Sequence, residues 1–147
     1  MGTVRVSLSK QDRDFHFRAV NEAGQSIDID DASAYEDRKG HGVGPMELLI
    51  MALGGCSGLD VMSILKKGRQ NVDRFEIEVT GQKPDGEVPS IYHDIHVRYI
   101  IEGNLEASKV LRAIELSLDK YCSVAATLGK GAVIRYDYEV NGEAFEG

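Results

Sequence analysis

The sequence predicts an α+β fold with the element order β-β-β-α-β-β-α-β, and three observations carry that prediction. Apolar and polar residues alternate in short runs at both ends of the chain and in its middle, the period of half-buried strands. Two long segments, one opening at Pro45 and one after Asn104, space their apolar residues at the helical period instead. The strands come in groups rather than one between each pair of helices, which excludes a doubly wound parallel sheet. The 147 residues fit a single domain, 1–147, large enough to bury one core.

The elements follow in order. TVRVSLS sets Val4, Val6 and Leu8 against polar neighbours as a first strand. After the turn-like KQDRD, FHFRAV puts Phe15 and Phe17 on the inner face and His16 and Arg18 on the outer one. NEAG turns into QSIDID, with Ile27 and Ile29 inward, completing an antiparallel meander. Residues 31–44 are polar and glycine-rich and read as a loop with a flexible hinge into the next element. Pro45 opens the first helix, where its missing N–H costs nothing, and the helix runs to about Arg69. Its first part is apolar on nearly every side, so it must be covered from several directions. Gly54, Gly55 and Gly58 lie within it at about 1 kcal/mol each against alanine, which fits close approach of another backbone. DRFEIEVTG and YHDIHVRYII are the next two strands, with Phe75, Ile77, Val79, Ile95, Val97 and Tyr99 inward. Asn104 is placed to cap a second continuous helix, LEASKVLRAIELSLDKYCSVAATL, which stops at Gly129. AVIRYDYEV is the last strand.

Charge and composition narrow the function. Seventeen basic against 24 acidic residues give a net charge of −7, and no basic stripe is present, so duplex nucleic acid is excluded as a partner. No apolar run of membrane-span length is evident, and MGTVRVSLSK lacks the core of a secretory signal. The expected setting is the reducing cytoplasm, away from membranes, where a lone cysteine pair is redox-active or simply buried rather than a structural staple. His93 and His96 would point to opposite faces of a strand, and neither CxxC nor HxxxH spacing joins them or His41 to the cysteines, so no metal or cofactor is expected. Ser57 and Ser63 lack a hydrolase motif, and the strand tyrosines read as packing residues.

Cys56 and Cys122 each fall on an apolar helical face. Two readings are open from the residues alone: small core residues, or a facing thiol pair where two helices cross. The stretch GPMELLIMALGGCSGLDVMSILKKGR, taken with DKYCSVAATL, resembles the OsmC/Ohr family of osmotically inducible and organic hydroperoxide resistance proteins, in particular its YhfA-type branch. The likeness covers nearly the whole chain and both cysteine contexts. It implies an intertwined homodimer, with two long central helices per subunit wrapped by antiparallel sheets. It also implies cofactor-free thiol peroxidase chemistry on organic hydroperoxides, recycled by a dithiol reductant of the lipoyl type. Cys56 matches the peroxidatic position and Cys122 the resolving one.

The remaining site residues come from the same resemblance. The family pairs an arginine ahead of the first helix with a glutamate at its start, which points to Arg38 in AYEDRKG, ahead of Lys39 and Arg18, and to Glu47. A cation from elsewhere is needed, because the N-terminus of its own helix lies about 16 Å from Cys56 and the dipole fades within one turn. Two departures stand out: Met46 holds the place of the family's glutamate, one residue before Glu47, and Ser123 stands where peroxidase branches carry proline. Glu47 and Cys56 are about 13.5 Å apart along one helix, so Glu47 would serve a Cys56 thiol only across a subunit boundary. The contrasting reading is a non-catalytic member of the fold that binds a small apolar or sulfur-containing ligand at the dimer interface.

Overall fold

The computed structural model describes residues 2–147 and divides into two units, one ending at Leu49 and one beginning at Ile50. In the first unit the alternating runs form the expected meander: β1 (Val6–Lys10), β2 (Phe17–Asn21) and β3 (Ser26–Ile29), paired antiparallel in that order. Leu8 lies opposite Ala19, and Ala19 opposite Ile27. The apolar face of this sheet is not covered as expected: Val6, Leu8, Phe15, Phe17 and Ile27 are all exposed. His16, assigned to the outer face, is buried instead. The reason is polar. Its Nδ1 lies 2.7 Å from Asp12 Oδ1 and its Nε2 2.9 Å from Asp28 Oδ1. With both ring nitrogens facing carboxylates, the doubly protonated ring is the favoured form and its pKa is raised, first by Asp12 and then by Asp28.

The segment 31–44 is tied down rather than a free hinge. It opens with a 3₁₀ turn, Ala32–Ala34. Asp30 Oδ1 accepts the Tyr35 hydroxyl at 2.8 Å, and Asp30 Oδ2 accepts the His41 N–H at 2.9 Å. Val43 bridges in parallel to Ile29. Gly42 is required there, because a Cβ would run into the Asp28 carbonyl.

Helix α1 (Pro45–Lys67) starts at the expected proline. In the second unit β4 (Asn71–Gln82), β5 (Asp94–Asn104), β6 (Val133–Val140) and β7 (Glu143–Glu146) form one sheet in that order. β5 and β6 run parallel, which corrects the expectation of wholly antiparallel sheets; the helical crossover between them makes this possible. β7 was not anticipated. β5 buries Ile95, Val97, Tyr99 and Ile101 on alternate positions. The buried face of α1 is Leu53, Gly54, Ser57, Val61 and Leu65. It lies against β4 at the glycines: a Cβ on Gly58 would sit 2.9 Å from the Ile77 side chain, and one on Gly54 3.2 Å from that of Val79. The opposite face presents Met51, Gly55, Leu59 and Met62, with Leu59 76% exposed.

Two sequence expectations need correction here. An 18-residue window of α1 has mean hydropathy 1.9, enough by length and composition to cross a membrane. The second helix is neither capped by Asn104, which ends β5 opposite Asn71, nor continuous. It is α2 (Ala107–Leu116), a π-helical turn (Ser117–Tyr121) and α3 (Ser123–Leu128). Gly129 ends α3 with φ −66° and not in the left-handed region.

Candidate active site

Cys56 and Cys122 come together in the second unit, as free thiols. Cys56 sits in the middle of α1, half-buried. Asp60 follows it by one helical turn, on the same side of the helix. The π-helical turn positions Cys122. In an α-helix its N–H would bond four residues back; here it donates to the Ser117 carbonyl, five back, at 2.7 Å. The backbone then turns extended at Cys122 (φ −77°, ψ 103°), which places this residue as the N-cap of α3. Its Sγ accepts the Ala125 N–H at 3.3 Å. Cys122 is 3% exposed. The two sulfurs and an Asp60 carboxylate oxygen all lie within 4.8 Å of one another.

A buried chain of hydroxyls ends on Asp60. Ser117 Oγ donates to Asp60 Oδ2 at 3.0 Å. Ser117 Oγ is 2.8 Å from Ser57 Oγ, which is 2.6 Å from the Tyr99 hydroxyl. Each hydroxyl has one proton to give. With the carboxylate as final acceptor, the direction is fixed: Tyr99 donates to Ser57, Ser57 to Ser117, and Ser117 to Asp60. Burial pushes the Tyr99 hydroxyl up to about 12, which keeps it a donor. Burial, followed by the neighbouring Cys56 thiol, pushes the Cys122 thiol up to about 11. Cys122 therefore stays protonated at neutral pH.

The other two residues assigned to the site, Arg38 and Glu47, lie in the first unit. Arg38 is exposed, with a left-handed backbone (φ 57°), in the segment ahead of α1. Glu47 lies in the first turn of α1, where its Oε1 accepts the Gly44 N–H at 3.0 Å, a capping role. Of the four residues assigned to the site, the structure brings together the two cysteines. Sequence reasoning missed Asp60 and Ser117, and set aside Ser57 as a serine without a hydrolase motif and Tyr99 as a packing residue. Asp60 had a signal, its one-turn spacing from Cys56; Ser117 had none, because nothing in SLDKY announces a π turn.

Comparison with known proteins bears on the whole chain. A family model for OsmC-like proteins matches residues 38–137. The chain is 45% identical to protein YhfA of Escherichia coli K12 over 97 residues, which is 65% of this chain and 72% of the relative. A protein of Aquifex aeolicus VF5 superposes with TM-score 0.83 at 32% identity, covering 96% of this chain and 98% of that one. The organic hydroperoxide resistance protein OsmC of Legionella pneumophila shares the fold, with TM-score 0.68 at 9% identity, over 95% of this chain and 98% of its own.

Proposed function

The chain belongs to the OsmC-like protein family, and from that premise we propose that it is a thiol-dependent peroxidase of organic hydroperoxides that works as a homodimer through Cys56 and Cys122. One observation carries the reading: two free thiols, 66 positions apart in sequence, lie within 4.8 Å while differing in burial. The Cys56 thiolate attacks the O–O bond of the hydroperoxide. A sulfur–oxygen bond forms, the O–O bond breaks, and the departing alkoxide takes a proton to leave as alcohol. Cys56 is left as a sulfenic acid. Cys122 then attacks that sulfur and its thiol proton leaves with the displaced hydroxide as water, giving a disulfide. A dithiol reductant returns both thiols. The order of attack follows from burial: the thiol held near 11 is the poor first nucleophile. Arg38 and Glu47 enter as the family resemblance assigns them, Arg38 as the cation that favours the Cys56 thiolate and Glu47 as its partner.

The dimer is supported by what one subunit leaves uncovered. Met51, Gly55, Leu59 and Met62 form one apolar face of α1, and Val6, Leu8 and Ile27 an apolar sheet face. A second copy supplies the cover that a helix this apolar requires.

The test is consumption of cumene hydroperoxide with dihydrolipoamide as reductant, on wild type, Cys56→Ser and Arg38→Ala. Turnover in wild type, none in Cys56→Ser, and about a tenfold slower reaction in Arg38→Ala, or about 1.4 kcal/mol, are expected. Iodoacetamide labelling against pH should show Cys122 titrating near 11. Thiols that stay intact through peroxide exposure would sink the reading in favour of a ligand-binding protein, for which Met46 in the family's glutamate position is the favouring observation.

A further inference from the structure

Two groups of side chains in the described residues converge as metal ligands would: Asp12, His16 and His41, and Cys56, Asp60 and Cys122. They are not equivalent. Both nitrogens of His16 already face carboxylates, Asp12 and Asp28, at 2.7 and 2.9 Å. A ring so engaged has no lone pair to offer a cation. The second group has three donor atoms and no such conflict.

We propose that, in the reduced protein, Cys56, Cys122 and Asp60 together bind a divalent metal ion of the zinc class. The geometry is close to what such an ion needs. Zn–S bonds of about 2.3 Å and Zn–O bonds of about 2.1 Å in a tetrahedron put the sulfurs about 3.8 Å apart and each sulfur about 3.6 Å from the oxygen. The three atoms lie within 4.8 Å of one another, so side-chain rotation of a few tenths of an ångström to an ångström completes the set. Two thiolates with one carboxylate suit a borderline-soft ion and not magnesium or calcium, which take oxygen ligands.

The surrounding hydrogen bonds support the same reading. Metal ligands are oriented by outer partners. Here Ser117 Oγ donates to Asp60 Oδ2 at 3.0 Å, which fixes the carboxylate and leaves it lone pairs for the ion. The Ala125 N–H points at Cys122 Sγ from 3.3 Å. Ser117 is itself fixed by the buried Ser57 and Tyr99 hydroxyls. Charge argues in the same direction. Two thiols and a carboxylate this close repel one another once ionised, and a dication among them removes the repulsion. Asp60 also lines a cavity of about 440 Å³ with Ser63, Lys67 and Tyr121, so one of the three ligands borders open space. Both sulfurs bind as thiolates, any thiol proton leaves to solvent, and no oxidation state changes. Three protein ligands leave a fourth position for water or a small ligand. The proposal needs the two thiols reduced; it does not need the peroxidase reading, and a disulfide excludes the metal.

The experiment is titration of the reduced, full-length protein with Co²⁺ under argon, followed by displacement with Zn²⁺ in competition with a chromophoric chelator. Expected are sulfur-to-cobalt charge-transfer bands in the near ultraviolet and tetrahedral d–d bands, saturating at one ion per chain. Cys56→Ser and Cys122→Ser should lose the bands. Asp60→Asn should keep charge transfer but lower Zn²⁺ affinity about a hundredfold, and Ser117→Ala about tenfold, in the range that outer partners of metal sites command. Far-ultraviolet circular dichroism checks that each variant is folded, and diamide-oxidised wild type, which needs no substitution, should bind nothing. Absence of thiolate bands in reduced wild type would overturn the proposal. So would Zn²⁺ affinity unchanged by Asp60→Asn, which would leave a bare thiol pair. A peroxidase that fails to bind cobalt, or a cobalt site in a protein that turns over no peroxide, separates this proposal from the functional one.

Discussion

Replacing Ser117 by alanine strands two groups at once, and the direction of the hydroxyl chain fixes how much that costs. Ser117 is fully buried and passes a proton to Asp60 at 3.0 Å while receiving one from Ser57 at 2.8 Å. Its removal takes a hydrogen bond from a carboxylate, worth about 1.5–3 kcal/mol, and leaves the buried Ser57 O–H without an acceptor, worth about 1–3 kcal/mol. Partial relaxation keeps these from adding in full, so about 3 kcal/mol of lost stability is expected. Tyr99→Phe acts at the other end. Tyr99 is a donor only, and Ser57 keeps its own acceptor, so no proton is orphaned. That change should cost about 1 kcal/mol. If the chain ran the other way, with Asp60 protonated and donating to Ser117, Tyr99→Phe would strand Ser57 and become the costlier substitution. Urea unfolding at pH 7, at one fixed protein concentration because association adds to stability, measures both. A Tyr99→Phe loss equal to or larger than that of Ser117→Ala would refute the assigned direction.

Two further predictions concern the first unit and the exposed face of α1. His16 is held above its ordinary 6.5, first by Asp12 and then by Asp28, so its contribution is complete below 6.5 and fades as pH rises through the folded value; Asp12 and Asp28 are held below 3.8 by hydrogen bonds from His16, and theirs fades as pH falls through their folded values. The cluster therefore stabilises most between about pH 4 and 6.5, and urea midpoints should fall above that window in wild type but not in His16→Gln; parallel declines in the two proteins would discard the cluster as the cause. Leu59→Glu places a charge on the apolar face beside Met51 and Met62, and sedimentation equilibrium should show the dimer mass of wild type falling toward one subunit; an unchanged mass would move the interface elsewhere.

The fold was legible where local chemistry and tertiary context agree. Pro45 at the head of α1, alternation in β5 and the meander of β1 to β3 all follow from period and turn residues. Legibility fails where a contact distant in sequence overrides the local signal. Asn104 has the chemistry of a helix cap, but its place opposite Asn71 extends β5 through it. His16 alternates with Phe15 and Phe17 as an outward residue would, yet Asp12 and Asp28 bury it, while Phe15 and Phe17 stay exposed. Periodicity reports which face is apolar; it does not report whether that face is covered.

The same distinction separates the two halves of the site. The cysteines could be assigned by resemblance because both of their sequence contexts match a known family. Asp60 belongs to the site for a reason no local pattern states: the π-helical turn at Ser117–Tyr121 gives Cys122 its N–H bond to the carbonyl five residues back and brings its sulfur to the helix face that Cys56 and Asp60 share. In a continuous α-helix the 100° step per residue would set Ser117 and Cys122, five apart, about 140° away from each other. One could reach α1 or the other, not both. The extra residue in that turn lets Ser117 hold the carboxylate while Cys122 meets the thiol. A single local irregularity thus couples the acid to the thiol pair. It also makes the charge at Asp60, rather than any feature of the cysteines alone, what distinguishes a thiol pair built only to form a disulfide from one that can also hold a cation.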